Sequence, residues 1–454
     1  MDDISHVMQS VSNYIAEAKD IPLPSEVAKK AKHHLLDSIA AMVSGSTLKP
    51  GRRATRFIRE QGGTPEALVI NTDIMTSAVN AAWANGMLAH ADETDDSHAP
   101  STSHPGCAIT PAALAAAERE NASGEELLRA FVLGYDICCR INRAVGSDNI
   151  SNAHRATYSV GGTFGAASAA AALMNLSADE VRHVLSYAGQ QVSGLGSWRR
   201  DTEHIEKAFV FGGMPARNGM AAAAMVAAGF TGVDDVLSGR DNFFVAFSPN
   251  PDPEQLIHAL GDHYEVMVTN IKRWPVGSPI QALISSLTAL MEQHKLTPAS
   301  IANITLRLPE RVTRLVGDTP MPDINSRYLA AATLIDGTLT FEATQDYDRL
   351  HDRELLNLKK RITLVGDASL NNTSPPRQGI VEIETMDGRQ LRHHTKAVRG
   401  TADNPMSQDE VEDKARGLLK IVLPPDNENA LVDGIWNIEQ VKSVREFRTY
   451  LAAH

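Results

Sequence analysis

Residues 90 to 105 hold the densest chemistry of the chain. Asp92, Glu93, Asp95 and Asp96 supply four carboxylates, and His90, His98 and His104 three imidazoles, within fifteen residues. Alanine-rich segments that read as buried helix flank this stretch. Unpaired buried charge is too unfavourable to persist as filler, so a polar cluster between apolar helices points to a site. Imidazole beside carboxylate can move a proton near neutral pH. Taken singly, each residue has a plainer role: a lone His hydrogen-bonds in a core, and Asp95 or Asp96 caps the next element. The bunching favours the functional reading. His90 with Asp92 or Asp95 offers metal-ligand types, yet no metalloenzyme spacing such as His-Glu-x-x-His occurs.

Two lysines suggest what the cluster acts on. Lys207 lies in Glu203-His204-Ile205-Glu206-Lys207-Ala208, and Lys272 opens Lys272-Arg273-Trp274-Pro275. The plain reading of either is solvated surface. Both, however, border apolar segments at expected domain edges, where pockets form. Two cations facing an acid and imidazole cluster suit a small polycarboxylate. They hold carboxylates and stabilise an enediolate while His or Asp moves the proton. Gly161-Gly162-Thr163-Phe164-Gly165 imitates a nucleotide loop, but no strand precedes it and alanine helix follows, so close helix packing explains it better. No P-loop and no Gly-x-Ser-x-Gly elbow is present.

The elements that must position these groups are legible as patterns. From Pro24 to about Gly229 the period is helical. Ser25 is expected to cap a helix carrying Val27, Ala31, Leu35, Ile39 and Met42. Ser123-Gly124-Glu125-Glu126 and Ser177-Ala178-Asp179-Glu180 read as capping boxes. Alanine runs at 166–172 and 221–228 predict central, closely packed helices. After about Asn270 the texture changes. Ile304 to Leu308 alternates as a half-buried strand does, Ile362 to Val365 reads as another, and Val381 to Leu391 as a hairpin turning at Met386-Asp387-Gly388. Helices are expected at 280–294 and 326–334. Ser407 should cap a helix over 410–419, and a last helix is expected near 441–452. The fold expected is mainly α: a large all-helical domain over 1–269, a smaller α+β lid domain over 270–402, and a helical tail over 403–454 that rejoins the first.

Composition closes off several classes. A length of 454 residues exceeds one ordinary core. The net charge of -12, without a basic cluster, argues against a nucleic-acid partner. Cys107, Cys138 and Cys139 fit neither a disulfide framework nor an iron–sulfur spacing, so buried reduced thiols are expected. The start Met1-Asp2-Asp3 is acidic, without the apolar region of a signal peptide. The longest apolar run, 220–230, is too short to span a bilayer. A soluble, cytoplasmic protein is the expectation, with no membrane partner.

Taken together, the motifs resemble the MmgE/PrpD family, whose members include 2-methylcitrate dehydratase, cis-aconitate decarboxylase and iminodisuccinate epimerase. The resemblance rests on Asn85-Gly86 through His90, Asp95-Asp96-Ser97 with His104-Pro105, and Gly134-Tyr135-Asp136 before Arg140. Gly162-Thr163-Phe164-Gly165-Ala166-Ala167, Lys207 with Arg217-Asn218-Gly219, Gly229-Phe230-Thr231-Gly232, and Lys272 with Trp274-Pro275 complete it. It implies a homodimer, a pocket between the two domains and no required cofactor. It also implies that Asp95, Asp96, Ser97, His104, Lys207 and Lys272 line that pocket, with Tyr328 as a lid-domain tyrosine. The chain departs from the family in places. Glu93 stands where the usual acid is Asp. His154 lies two residues farther from Gly162 than the family histidine does. Gln281 occupies the place of a histidine after Trp274-Pro275, and Gln cannot exchange protons near neutrality. The site expected is therefore His104, Asp95, Lys207, Lys272, Tyr328 and His154 as catalytic groups, with Glu93, Asp96, Ser97 and Gln281 binding substrate and no metal ligand. The reaction expected is proton transfer next to a carboxylate, best a hydro-lyase, with an isomerase, a decarboxylase or an inactive binding protein as rivals.

Overall fold

A computed structural model describes residues 4–453. The described residues are predominantly helical and include a four-stranded sheet and a two-stranded ribbon. Small residues decide how the helices stack. Gly124–Val145 packs along Thr157–Leu173, which packs in turn against Met214–Ala227 and Pro105–Glu120. At the first crossing Gly134 and Gly165 face each other, and a Cβ on Gly165 would stand 2.5 Å from the Gly134 carbonyl oxygen. Only glycine allows that approach. The alanines of Thr157–Leu173 are fully buried on all sides, as a central helix requires.

The capping boxes at Ser123/Glu126 and Ser177/Glu180 both form. Ser407/Glu410 forms a third, opening the helix Gln408–Leu419. Ser25 does not cap: Pro24 precedes the helix Ser25–Gly45, and no side chain caps its start. Proline at this boundary fixes the turn instead.

Two cores result. One draws on Val7 through Val266 and takes Leu418, Leu431 and Ile435 from the C-terminal segment. The other gathers Trp274 through Ile383 around the sheet. The sheet runs Ile362–Gly366, Ile301–Leu308, Gly379–Thr385, Gln390–Thr395, with the first pair parallel and the others antiparallel. The helix Gln281–His294 covers it. The chain's end differs from the expected single helix. Pro425–Trp436 is helical, and the last turns split into a 3₁₀ turn Val444–Phe447 and the short helix Arg448–Leu451. Cys107, Cys138 and Cys139 are free and buried. Among the described residues no helix is long and apolar enough to cross a membrane.

Candidate active site

The acidic loop leaves the helix Ala78–Ala89 at His90 and re-enters helix at Pro105. All of its ionisable groups are buried. Asp95 organises it. Its Oδ2 receives Nδ1 of His90 at 2.9 Å and Nδ1 of His104 at 3.0 Å, and its Oδ1 lies 3.4 Å from the Lys272 ammonium. Burial alone would raise the Asp95 carboxyl. His90, Lys272 and His104 overturn that and hold it well below the usual carboxylate range. A charged Asp95 assigns the Nδ1–H tautomer to both imidazoles, which leaves Nε2 of His104 as its working nitrogen. Burial lowers His104, and the charges of Lys272 and Arg377 add to it against Asp95, so the ring is neutral at pH 7. His90 is neutral for the same first reason, burial.

Glu93 is the second centre. Its backbone is left-handed, with φ 58°, an unfavourable conformation for a side chain that needs neighbours to hold it. Lys272 supplies them. Its ammonium donates to the Glu93 carbonyl at 2.8 Å and to Glu93 Oε2 at 2.9 Å. With Asp95, this occupies all three of its N–H donors. Lys272 therefore holds the loop from the second core, with its donors facing Glu93 and Asp95. Lys207 also contacts Glu93, through Oε1, but keeps donors free. Burial, with Lys272 adding and Asp323 opposing, brings Lys207 down to about 7.

Lys207 reaches the site through a local irregularity. The helix Ile205–Ala208 passes through a π-helical turn, Phe209–Gly213, into Met214–Ala227. Such turns re-aim side chains and recur at functional sites. Here the turn docks closely: a Cβ on Gly212 would lie 2.1 Å from the Gly86 carbonyl oxygen. Phe211 then sits at the centre of the site. His90 and Tyr158 stack on it at 4.2 and 3.6 Å, and Lys207 Nζ lies 5.2 Å from its centroid.

These groups open onto a cavity of about 570 Å³ between the two cores. Glu93, His104, Tyr158, Trp198, Lys207 and Phe211 line one side, and Ser278, Leu308, Arg311, Val316 and Arg377 line the other. Arg199, Lys207, Arg311 and Arg377 outnumber the two acids, Glu93 and Asp148, so the cavity is cationic. His204 and Asp323 pair at 2.8 Å across the domains, and Lys414 of the C-terminal segment donates to the Thr94 carbonyl at 2.9 Å.

Four expected site residues stand elsewhere. Tyr328 is fully buried in the lid core, its hydroxyl donating to the Ala343 carbonyl at 2.6 Å. His154 is exposed with left-handed backbone and does not line the cavity. Gln281 spends its amide on the Trp274 and Val276 backbone, at 2.7 and 3.0 Å to the two carbonyls. Asp96 is buried behind the loop, receiving His34 at 2.7 Å, Tyr135 at 2.6 Å and the Gly106 N–H at 2.9 Å. Ser97 bridges to the lid, accepting from Arg377 at 3.0 Å. The site also gains residues that the sequence did not single out: Tyr158, four positions after His154, Phe211 and Arg377.

Could the donors hold a metal? His90, Glu93 and His204, and His90, Asp95 and Cys107, bring ligand atoms within 4.8 Å of one another. Both carboxylates already face ammonium groups, and burial keeps Cys107 a thiol. A cation would have to displace lysines, so this donor set is poorly matched to one.

Models of the MmgE/PrpD N-terminal and C-terminal domains match residues 9–256 and 274–440. The chain belongs to the MmgE/PrpD family. Family members similar to it over nearly their whole length include the cis-aconitate decarboxylase-like protein of Aspergillus oryzae, 25% identical over 97% of this chain and 96% of that one. The human cis-aconitate decarboxylase is 26% identical over 99% and 95%, and that of Aspergillus terreus 21% over 97% and 94%.

Proposed function

We propose that the chain is a cofactor-independent lyase acting on a small di- or tricarboxylate, with His104 moving the proton next to a carboxylate. One observation carries this reading: the Asp95–His104 pair presents a neutral imidazole nitrogen to a cationic cavity between the domains. A neutral His is a base in the resting enzyme. Removal of an α-proton followed by loss of hydroxide as water is then the simplest chemistry. Lys207, brought down to about 7, can protonate the departing hydroxyl. A hydro-lyase is therefore the first reading, in a cytoplasmic setting, as the cysteines suggest, and as a homodimer, as the family resemblance implies.

A decarboxylase is the second reading, favoured by the printed names of the relatives. It needs a proton donor where carbon dioxide leaves, a role that suits protonated Lys207 or a His104 protonated after an anionic substrate binds. The test is incubation with hydroxy-tricarboxylates, cis-aconitate and amino-dicarboxylates in deuterated water, followed by proton and carbon NMR. Loss of water, with deuterium at the α-carbon of the recovered substrate, supports the hydro-lyase. Inversion with exchange supports an isomerase, and release of carbon dioxide a decarboxylase. A folded protein that leaves every polycarboxylate unchanged would refute the proposal.

A further inference from the structure

Arg377 is a cavity-lining cation without an anionic partner. It sits at φ 62° in the loop between the strands Ile362–Gly366 and Gly379–Thr385. Its side chain reaches across the domain boundary, and one Nη donates to Ser97 Oγ at 3.0 Å. Among the described residues no carboxylate lies within ion-pair distance of it. A guanidinium carries five donors in a planar fork. Arg377 is half-buried, lines the cavity and makes one hydrogen bond among the described residues, so most of the fork is unpartnered there. The other buried cations of the site are matched: Lys272 and Lys207 by Glu93. Arg377 is left for something that arrives with its own negative charge.

Its neighbours define what that is. His104, Tyr158 and Arg377 all line the one cavity. The Tyr158 hydroxyl makes no hydrogen bond to any described residue. Ser97 Oγ, buried behind the cavity wall, accepts from Arg377 and holds the guanidinium in place. Fork and phenol together match a carboxylate, which takes a bidentate arginine and has lone pairs for a further donor.

We propose that Arg377, anchored by Ser97 and aided by Tyr158, is the receptor for the carboxylate adjacent to the carbon that exchanges its proton with His104. The inference rests on the polycarboxylate reading above and names the groups that recognise the reacting end. As the proton leaves, charge moves onto that carboxylate, and a bidentate guanidinium strengthens its hold on the enediolate. Lys207, which also lines the cavity, then meets the leaving group.

The test is calorimetric titration with tricarballylate, a tricarboxylate with no hydroxyl to lose, and with succinate. Parent protein should bind tricarballylate, and Arg377→Leu should weaken it on the order of 10²-fold. Arg377→Lys, which keeps a charge but loses the fork, should weaken it by roughly 10-fold. The lysine variant decides the matter if the leucine variant does not fold. A second readout is independent of ligand: without the nearby positive charge, the His104 ring should titrate at higher pH by NMR in Arg377→Leu. If the parent binds and both variants bind within threefold of it, the receptor is wrong and the proposed function stands. If the parent binds neither tricarballylate nor succinate nor cis-aconitate, the polycarboxylate reading fails and takes this inference with it.

Discussion

Asp95→Asn isolates the proton-transfer geometry with almost no change in volume. Asp95 Oδ2 serves two imidazole N–H groups at 2.9 and 3.0 Å, and Oδ1 faces the Lys272 ammonium at 3.4 Å. An amide cannot satisfy both sides. With its oxygen toward the rings, its NH₂ meets the Lys272 ammonium, donor against donor. With its NH₂ toward the rings, His104 must accept at Nδ1 and carry its proton on Nε2, which removes the base from the cavity. Either way the Nδ1–H, Nε2-base state loses its charged support. Loss of the correct tautomer in histidine–carboxylate pairs lowers turnover by about 10²–10⁴-fold, or roughly 3–5 kcal/mol of barrier. Stability should fall less, by about 1–3 kcal/mol, because Lys272 keeps both contacts to Glu93. The assay is turnover of whichever polycarboxylate the NMR panel identifies, beside a melting curve and nitrogen NMR of the imidazoles. Turnover within threefold of the parent, in a folded variant whose His104 tautomer has changed, would refute the reasoning.

Other substitutions separate site from scaffold. Tyr158→Phe should lower turnover by about 10-fold or more with little change in melting temperature, whereas Tyr328→Phe should leave turnover near normal and cost about 1 kcal/mol, since its hydroxyl bonds only lid backbone; the reverse pattern would restore Tyr328 to the mechanism. Gly212→Val should disrupt the Gly86 contact and lower the yield of folded protein, measured by soluble expression and melting. The pair His98–Glu265, at 3.0 Å and buried, predicts a pH signature. Burial opposes the His98 charge, but Cys139 and Glu265 raise it to about 9. A group raised in the folded state adds stability that is complete below its unfolded value, near 6.5, and is lost as pH rises through 9, an effect of up to about 3 kcal/mol. Denaturant titrations at pH 6.5 and 9 should show that decline, and His98→Gln should flatten it.

The legibility of this chain follows the range of the interactions. Ser123/Glu126, Ser177/Glu180 and Ser407/Glu410 are local and declare helix starts outright. The alternation of Ile304 to Leu308 likewise gave its strand, and the Asp95–His104 cluster was dense enough to read as a site. What escaped depends on partners far along the chain. Nothing near Lys272 says that Glu93, 179 positions away, occupies its ammonium. Arg377 and Tyr158 carry no motif, and only the fold sets them beside His104. Tyr328 fitted a pattern of neighbours, but the direction of its hydroxyl is a property of the lid core. The helix Pro425–Trp436 was not singled out, although proline at 425 is well suited to the first turn of a helix.

The central claim is that His104 exchanges a proton with the carbon beside a substrate carboxylate. The most direct measurement is deuterium incorporation at that carbon, followed by NMR in deuterated water, for the parent and for His104→Gln. The account predicts incorporation by the parent and a loss of roughly 10²-fold or more in a variant that melts like the parent. Incorporation at an undiminished rate in folded His104→Gln would contradict it.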